Sequence, residues 1–137
     1  MFCKHILTPK ETFMDTCTGG KIVIIDDMQI VLILLNDILE EAGITNVVPF
    51  TEPLKAIEAM QCNGKPSLII SDYNMPEMNG MQLLTEISKT FPNIPGIIIS
   101  SETEKLIGGP EPYHVMPKHL MQTEFFIELV KRLSKCS

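Results

Sequence analysis

The sequence lacks any uncharged apolar run approaching the about 18 residues of a membrane helix, and its N-terminus lacks the basic-then-apolar order of a secretory signal. Both absences point to a cytoplasmic chain with no membrane partner. Positive charge is scarce: 11 Lys and Arg stand against 17 Asp and Glu, a formal charge of −6, and only Lys131, Arg132 and Lys135 gather cations, at the tail. Sequence-independent nucleic-acid binding needs clustered Lys and Arg against phosphate, so no nucleic acid is expected and a protein partner is. Cysteine is sparse and scattered. Cys3, Cys17, Cys62 and Cys136 form no C-x-x-C pair and no zinc spacing, so reduced thiols are expected, and a site on Cys3, His5 and Cys17 has no evident fourth ligand.

What is present suits one small domain. At 137 residues, 45% apolar and 20% charged, the chain can bury a single core and is not disordered in bulk. Residues 1–20 show no sustained period and end in Gly19-Gly20, the composition of an N-terminal arm, so the domain is expected over 21–137. From there short β-branched runs alternate with amphipathic stretches. Strands are predicted at 22–25, 45–50, 67–70, 96–99 and 113–116, and helices at 28–42, 53–60, 80–91 and 123–135. Gly43 and Gly64 stand where helices should end, and Pro53 suits a first helical turn. Phe126, Leu129, Val130 and Leu133 form one stripe that should face a sheet. Runs apolar on both faces, such as 22–25 and 97–99, belong in a parallel sheet covered on both sides, and right-handed crossovers make the fold α/β and doubly wound.

In such a sheet ligands bind beyond the carboxyl ends of the strands. There the first run ends in Asp26-Asp27, the third in Asp72, the fourth in Ser100-Ser101, and Lys118 closes the fifth. Three carboxylates in one place repel one another unless a cation intervenes, and oxygen donors of this kind suit magnesium better than calcium or zinc. With charge so balanced, Asp72 could attack a phosphoryl group in line and form an acyl phosphate.

The residues Ile24-Ile25-Asp26-Asp27, the run from Asp72-Tyr73-Asn74-Met75-Pro76 to Gly80, Ser100-Ser101-Glu102, and Lys118 together resemble the receiver domain of two-component response regulators, over about residues 21–135. The resemblance implies a five-stranded, flavodoxin-like sheet of order 2-1-3-4-5. It further implies Asp72 as phospho-acceptor, Asp27 and the Asn74 carbonyl as direct magnesium ligands, and Asp26 as a water-mediated one. Ser100 would be the switch hydroxyl and Lys118 the phosphate-binding lysine. A histidine kinase or histidine phosphotransfer domain would donate the phosphoryl group, docking largely on the first helix, and a downstream protein partner would read the result. The expected protein is a stand-alone receiver that catalyses only its own aspartyl phosphorylation and dephosphorylation and is not otherwise an enzyme.

Simpler roles stand beside these. Asp26 and Asp27 also suit the N-cap of the first helix, Asp72 the turn after it, and the serines an ordinary loop. His114 and His119 have no carboxylate partner in view, and the nine methionines fit apolar packing. The chain also departs from the family pattern. Residues 100–118 are short and include Gly108-Gly109-Pro110 and Pro112, so the fourth helix should be shortened to one or two turns within 102–107. Val115 occupies the place of the aromatic switch residue, and Pro117 precedes Lys118 where a proline usually follows the lysine. Two other functions compete with the receiver: a phosphorylation-independent scaffold, and a magnesium-dependent phosphohydrolase. The second needs a general acid two residues after its nucleophile, and Asn74 there has no carboxyl proton to give.

Overall fold

The computed structural model describes residues 18–101 and 113–134. Five strands, β1 (Ile22–Ile25), β2 (Val47–Phe50), β3 (Leu68–Asp72), β4 (Gly96–Ser100) and β5 (Tyr113–Pro117), form one sheet of order β2-β1-β3-β4-β5. Every neighbouring pair runs parallel. The helices are α1 (Gln29–Glu41), α2 (Pro53–Asn63), α3 (Gly80–Ser88) and α4 (Glu124–Ser134), with a short 3-10 turn at Lys118–Leu120. The shortened helix expected within 102–107 lies outside the described residues, as do most of the arm and the tail.

Alternation along each strand divides the core into two layers, because successive side chains leave a strand on opposite faces. Ile22 and Ile24 of β1, Leu68 and Ile70 of β3, and Ile97 and Ile99 of β4 pack with Leu32, Leu35 and Leu39 of α1 and with Phe126, Leu129 and Val130 of α4. Val23, Ile25, Ile69 and Ile98 face the other way, onto Ala56 and Met60 of α2 and Leu83, Leu84 and Ile87 of α3. Both faces are therefore dry, which is why β1, β3 and β4 are buried along their whole length. β2 forms an edge, and its exposed Pro49 removes one donor that another strand could otherwise pair with.

The helix ends differ from expectation where local hydrogen bonds decide. α2 runs past residue 60 to Asn63 and stops at Gly64, as expected of that glycine, whose φ of 107° is open to glycine and strained for other residues. α3 stops at Ser88, since Lys89, Thr90 and Phe91 close back onto Glu86 and Ile87 in a frayed last turn. Thr18, assigned to the arm by composition, is fully buried and its hydroxyl donates to the Ala59 and Gly64 carbonyls. The packed body thus reaches back to Thr18. Cys62 is disulfide-bonded, which corrects the expectation of reduced thiols. No helix among the described residues is long and apolar enough to cross a membrane.

Candidate phosphoryl-acceptor site

Four adjacent strands, β1, β3, β4 and β5, deliver the polar groups of the site. Ile25 of β1 pairs with Ser71 of β3, so Asp26 and Asp72, one step further on, leave neighbouring strands side by side. Asp72 in turn pairs with Ile99 of β4, and Ser100 with Pro117 of β5, which sets Ser100 and Lys118 along the same upper edge. Ligand oxygens of Asp26, Asp27 and Asp72 all lie within 4.8 Å of one another. Lys118 Nζ stands 3.4 Å from Asp72 Oδ1. The Lys118 side chain is 44% exposed while that of Asp72 is 6% exposed, so a flexible cation reaches inward to a fixed, largely buried anion. Of the other expected site residues, Ser100 is buried at the end of β4 and Asn74 is exposed in the loop after β3.

Burial governs the electrostatics. Loss of hydration pushes the Asp26 carboxyl up from 3.8 to about 6, with the neighbouring charges of Asp72 and Asp27 adding to the rise. The Met28 amide, donating to Asp26 Oδ1 at 2.9 Å, and the more distant Lys118 ammonium oppose it. Asp72 is raised as well, chiefly by burial, and the Lys118 ammonium is the largest influence holding it down. The expected capping role of the acidic pair is thus met in part: Asp26 binds the amide of Met28, the residue before α1, and Met28 itself makes no side-chain cap. Capping leaves the second carboxylate oxygen of Asp26 for another partner.

The loop that carries Asp72 is held from several sides. The Tyr73 amide donates to Ile99 O at 2.9 Å and the Gly80 amide to Tyr73 O at 2.9 Å. Asn79 caps α3 through a reciprocal box with Gln82, its Oδ1 accepting from the Gln82 amide at 2.8 Å. Gly80 has a role that pattern reasoning missed. A Cβ there would lie 2.7 Å from the Asp72 carbonyl oxygen, so the first turn of α3 sits against the peptide of Asp72 itself. A glycine opening a helix eight residues after the acidic strand end is the available signal, and it reads equally as a simple turn.

Oxygen ligands from three carboxylates, two of them buried at real cost, with a single ammonium beside them, suit a hard divalent cation and a phosphoryl group. Comparison with known proteins gives the family. The putative two-component response regulator ARR21 of Arabidopsis thaliana is 33% identical over 85 residues, which are 61% of this chain and 14% of that protein. The chemotaxis protein CheY of Thermotoga maritima is 29% identical over 123 residues, covering 85% of this chain and 99% of that one. The crystal structure of the response regulator TrrA of Thermotoga maritima, solved in complex with Mg(2+)-BeF, superposes with a TM-score of 0.69 at 22% identity, covering 82% of this chain and 97% of that one. The family model described as the response regulator receiver domain matches residues 22–107, which take in both acidic strand ends, and the chain belongs to that family.

Proposed function

We propose that the chain accepts a phosphoryl group on Asp72 from the phosphohistidine of a histidine kinase or phosphotransfer domain, with magnesium, and signals by changed protein binding or onward transfer. The observation that carries this reading is the pairing of a buried Asp72 with Lys118 at 3.4 Å in a cluster of three carboxylates. An Asp72 carboxylate oxygen attacks phosphorus as the bond from phosphorus to the donor's imidazole nitrogen breaks. The electron pair stays on that nitrogen, which is protonated, and the product is an aspartyl phosphate. The Lys118 ammonium, already beside Oδ1, is placed to take up charge on the phosphoryl oxygens. Asp26, Asp27, Asp72 and the main-chain carbonyl of Asn74 would hold the magnesium, whose bound charge offsets that of the carboxylates and phosphoryl oxygens together. TrrA, of the same fold, was solved with Mg(2+)-BeF, which supports that ligand chemistry here. Buried Ser100 is the hydroxyl that would meet the new oxygens.

The docking surface for the donor is the upper part of α1. Met28, just before the helix, and Ile30 and Ile33 within it are 55%, 65% and 51% exposed beside the acidic edge, more apolar surface than a lone domain needs to show there. The chemistry is confined to the chain's own aspartate and turns over no separate substrate. Incubation with acetyl phosphate, followed by intact mass, tests the reading. One added phosphoryl mass that requires magnesium and is lost in Asp72→Asn is expected. An unchanged mass in the wild type would sink it and leave a phosphorylation-independent scaffold.

A further inference from the structure

The disulfide at Cys62 plays no part in the acceptor chemistry and lies at the other end of the sheet. Cys62 is half-buried in the last turn of α2, between two carbonyls that one side chain binds: the Thr18 hydroxyl donates to Ala59 O at 3.3 Å and to Gly64 O at 2.9 Å. The chain stays against α2 beyond Thr18. A Cβ on Gly19 would lie 3.1 Å from Asn63 O, a Cβ on Gly64 would lie 3.4 Å from Gly19 Cα, and the Gly20 amide donates to Lys65 O at 2.9 Å. Residues 18–20 therefore run alongside residues 59–65, closer than two side-chain-bearing segments could come.

Reach decides which cysteine completes the bond. A disulfide needs Cα atoms about 4.4–6.8 Å apart. Cys17 directly precedes Thr18, so its Cα lies about 3.8 Å from that of a residue already bonded on both sides of Cys62. Cys136 is two residues beyond Ser134, the last of α4, a span of at most about 7 Å. α4 packs on the opposite face of the sheet from α2, so the sheet and both layers of side chains separate Cys136 from Cys62. Cys3 stands far back in the sequence, and bringing it onto α2 costs chain entropy that Cys17, already alongside, does not incur.

We propose that Cys17 and Cys62 form a disulfide that clips the N-terminal arm to the end of α2 and that opens and closes with the redox poise of its surroundings. Half-buried Cys62 leaves its sulfur within reach of a small thiol. Where glutathione keeps thiols reduced, the disulfides that do form are usually transient and redox-sensing. Closure by oxidised glutathione takes two exchanges. One protein thiolate attacks a glutathione sulfur and releases one glutathione thiolate; the other protein thiolate then attacks the protein sulfur of that mixed disulfide and releases the second. Two protein thiols thus give up two electrons and two protons, and one oxidised glutathione becomes two reduced ones. A dithiol reductant reverses both steps. The clip sits away from the acceptor, since Asp72 ends β3 about 13 Å from Leu68, which begins it.

The test equilibrates the full chain in glutathione buffers from fully reduced to fully oxidised, blocks free thiols by alkylation, and maps tryptic peptides by mass without reduction. Trypsin puts the four cysteines on separate peptides, 1–4, 11–21, 56–89 and 136–137, so each pairing has its own mass. Peptide 11–21 linked to 56–89 is expected in oxidised buffer, declining in steps as reduced glutathione is raised. Thermal melts give a second reading. The oxidised wild type should melt roughly 10 °C above the reduced protein, Cys17→Ser and Cys62→Ser should melt with the reduced protein in both buffers, and Cys3→Ser and Cys136→Ser should keep the gap. Labelling by acetyl phosphate should be equal in both redox states, so failure of the clip and failure of the acceptor are read separately. A link from 56–89 to either other peptide, a doubled intact mass from a bridge between two chains, or free thiols in oxidised buffer would overturn the proposal. So would a link that no glutathione ratio opens, or a melting gap that survives Cys17→Ser.

Discussion

Replacing Asp26 by asparagine should make the metal-free protein more stable at neutral pH, against the usual expectation for a site residue. The carboxyl titrates near 3.8 in an unfolded chain and at about 6 in the fold, because burial disfavours its charge. A folded state with the higher proton affinity is favoured where the group is protonated. The contribution of Asp26 is therefore fully present below about pH 3.8 and lost as pH rises to about 6. At ~1.4 kcal/mol for each pH unit, the loss comes to roughly 3 kcal/mol at pH 7. Asparagine is nearly isosteric, keeps an oxygen to accept the Met28 amide, and carries no charge to desolvate.

In EDTA at pH 7, Asp26→Asn should raise the melting temperature by roughly 9–12 °C, taking about 3–4 °C for each kcal/mol in a chain of this size. The gap should shrink steadily toward pH 4, where wild type and variant both hold a neutral group. Magnesium should narrow it from the other side by stabilising the wild type as any native-state ligand does. Urea or thermal melts by circular dichroism across that pH range are sufficient. A variant less stable than wild type at pH 7, or a gap independent of pH, would show that the hydrogen bond to Met28 outweighs desolvation and would refute the reasoning.

Other perturbations separate the acceptor from its supports. Lys118→Met removes the cation beside Asp72 and should slow phosphorylation by acetyl phosphate about tenfold or more while leaving the circular dichroism spectrum unchanged. Gly80→Ala puts a methyl group against the Asp72 carbonyl oxygen, so it should cost about 2 kcal/mol in urea melts and reduce the rate of labelling as well. Asn79→Ala removes the α3 cap and should cost about 1 kcal/mol in the same melts, with phosphate labelling intact. Phe126→Ala empties the largest fully buried side chain and should lower stability by about 3–5 kcal/mol.

Strand centres and strand ends were legible in the sequence because they depend on short patterns. A four-residue run such as Ile22 to Ile25, apolar on both faces, can be satisfied only between two helical layers, and a charged pair after it can only lie at the rim. The same logic located Asp72 and Lys118, which meet although 46 residues separate them. Features set by approach between elements were not legible. The burial of Thr18 follows from its reach to the Ala59 and Gly64 carbonyls, and the need for Gly80 from the distance to one carbonyl oxygen. Neither leaves a periodic trace.

The strand order divides labour within the site. β1 and β3, buried at the middle of the sheet, hold the three carboxylates, and rigid neighbours on both sides prevent those charges from relaxing apart. Ser100 ends β4 and Lys118 follows β5, and β5 is an edge strand with one hydrogen-bonded neighbour. Its lower end is tied down, since Tyr113 donates its hydroxyl to the Leu84 carbonyl of α3 at 3.0 Å. That tie fixes an aromatic residue two places before Val115, the position at which the family pattern leads one to expect an aromatic. Above it Lys118 opens a short 3-10 turn directly after Pro117, and that turn brings its ammonium to 3.4 Å from Asp72 across the intervening strand.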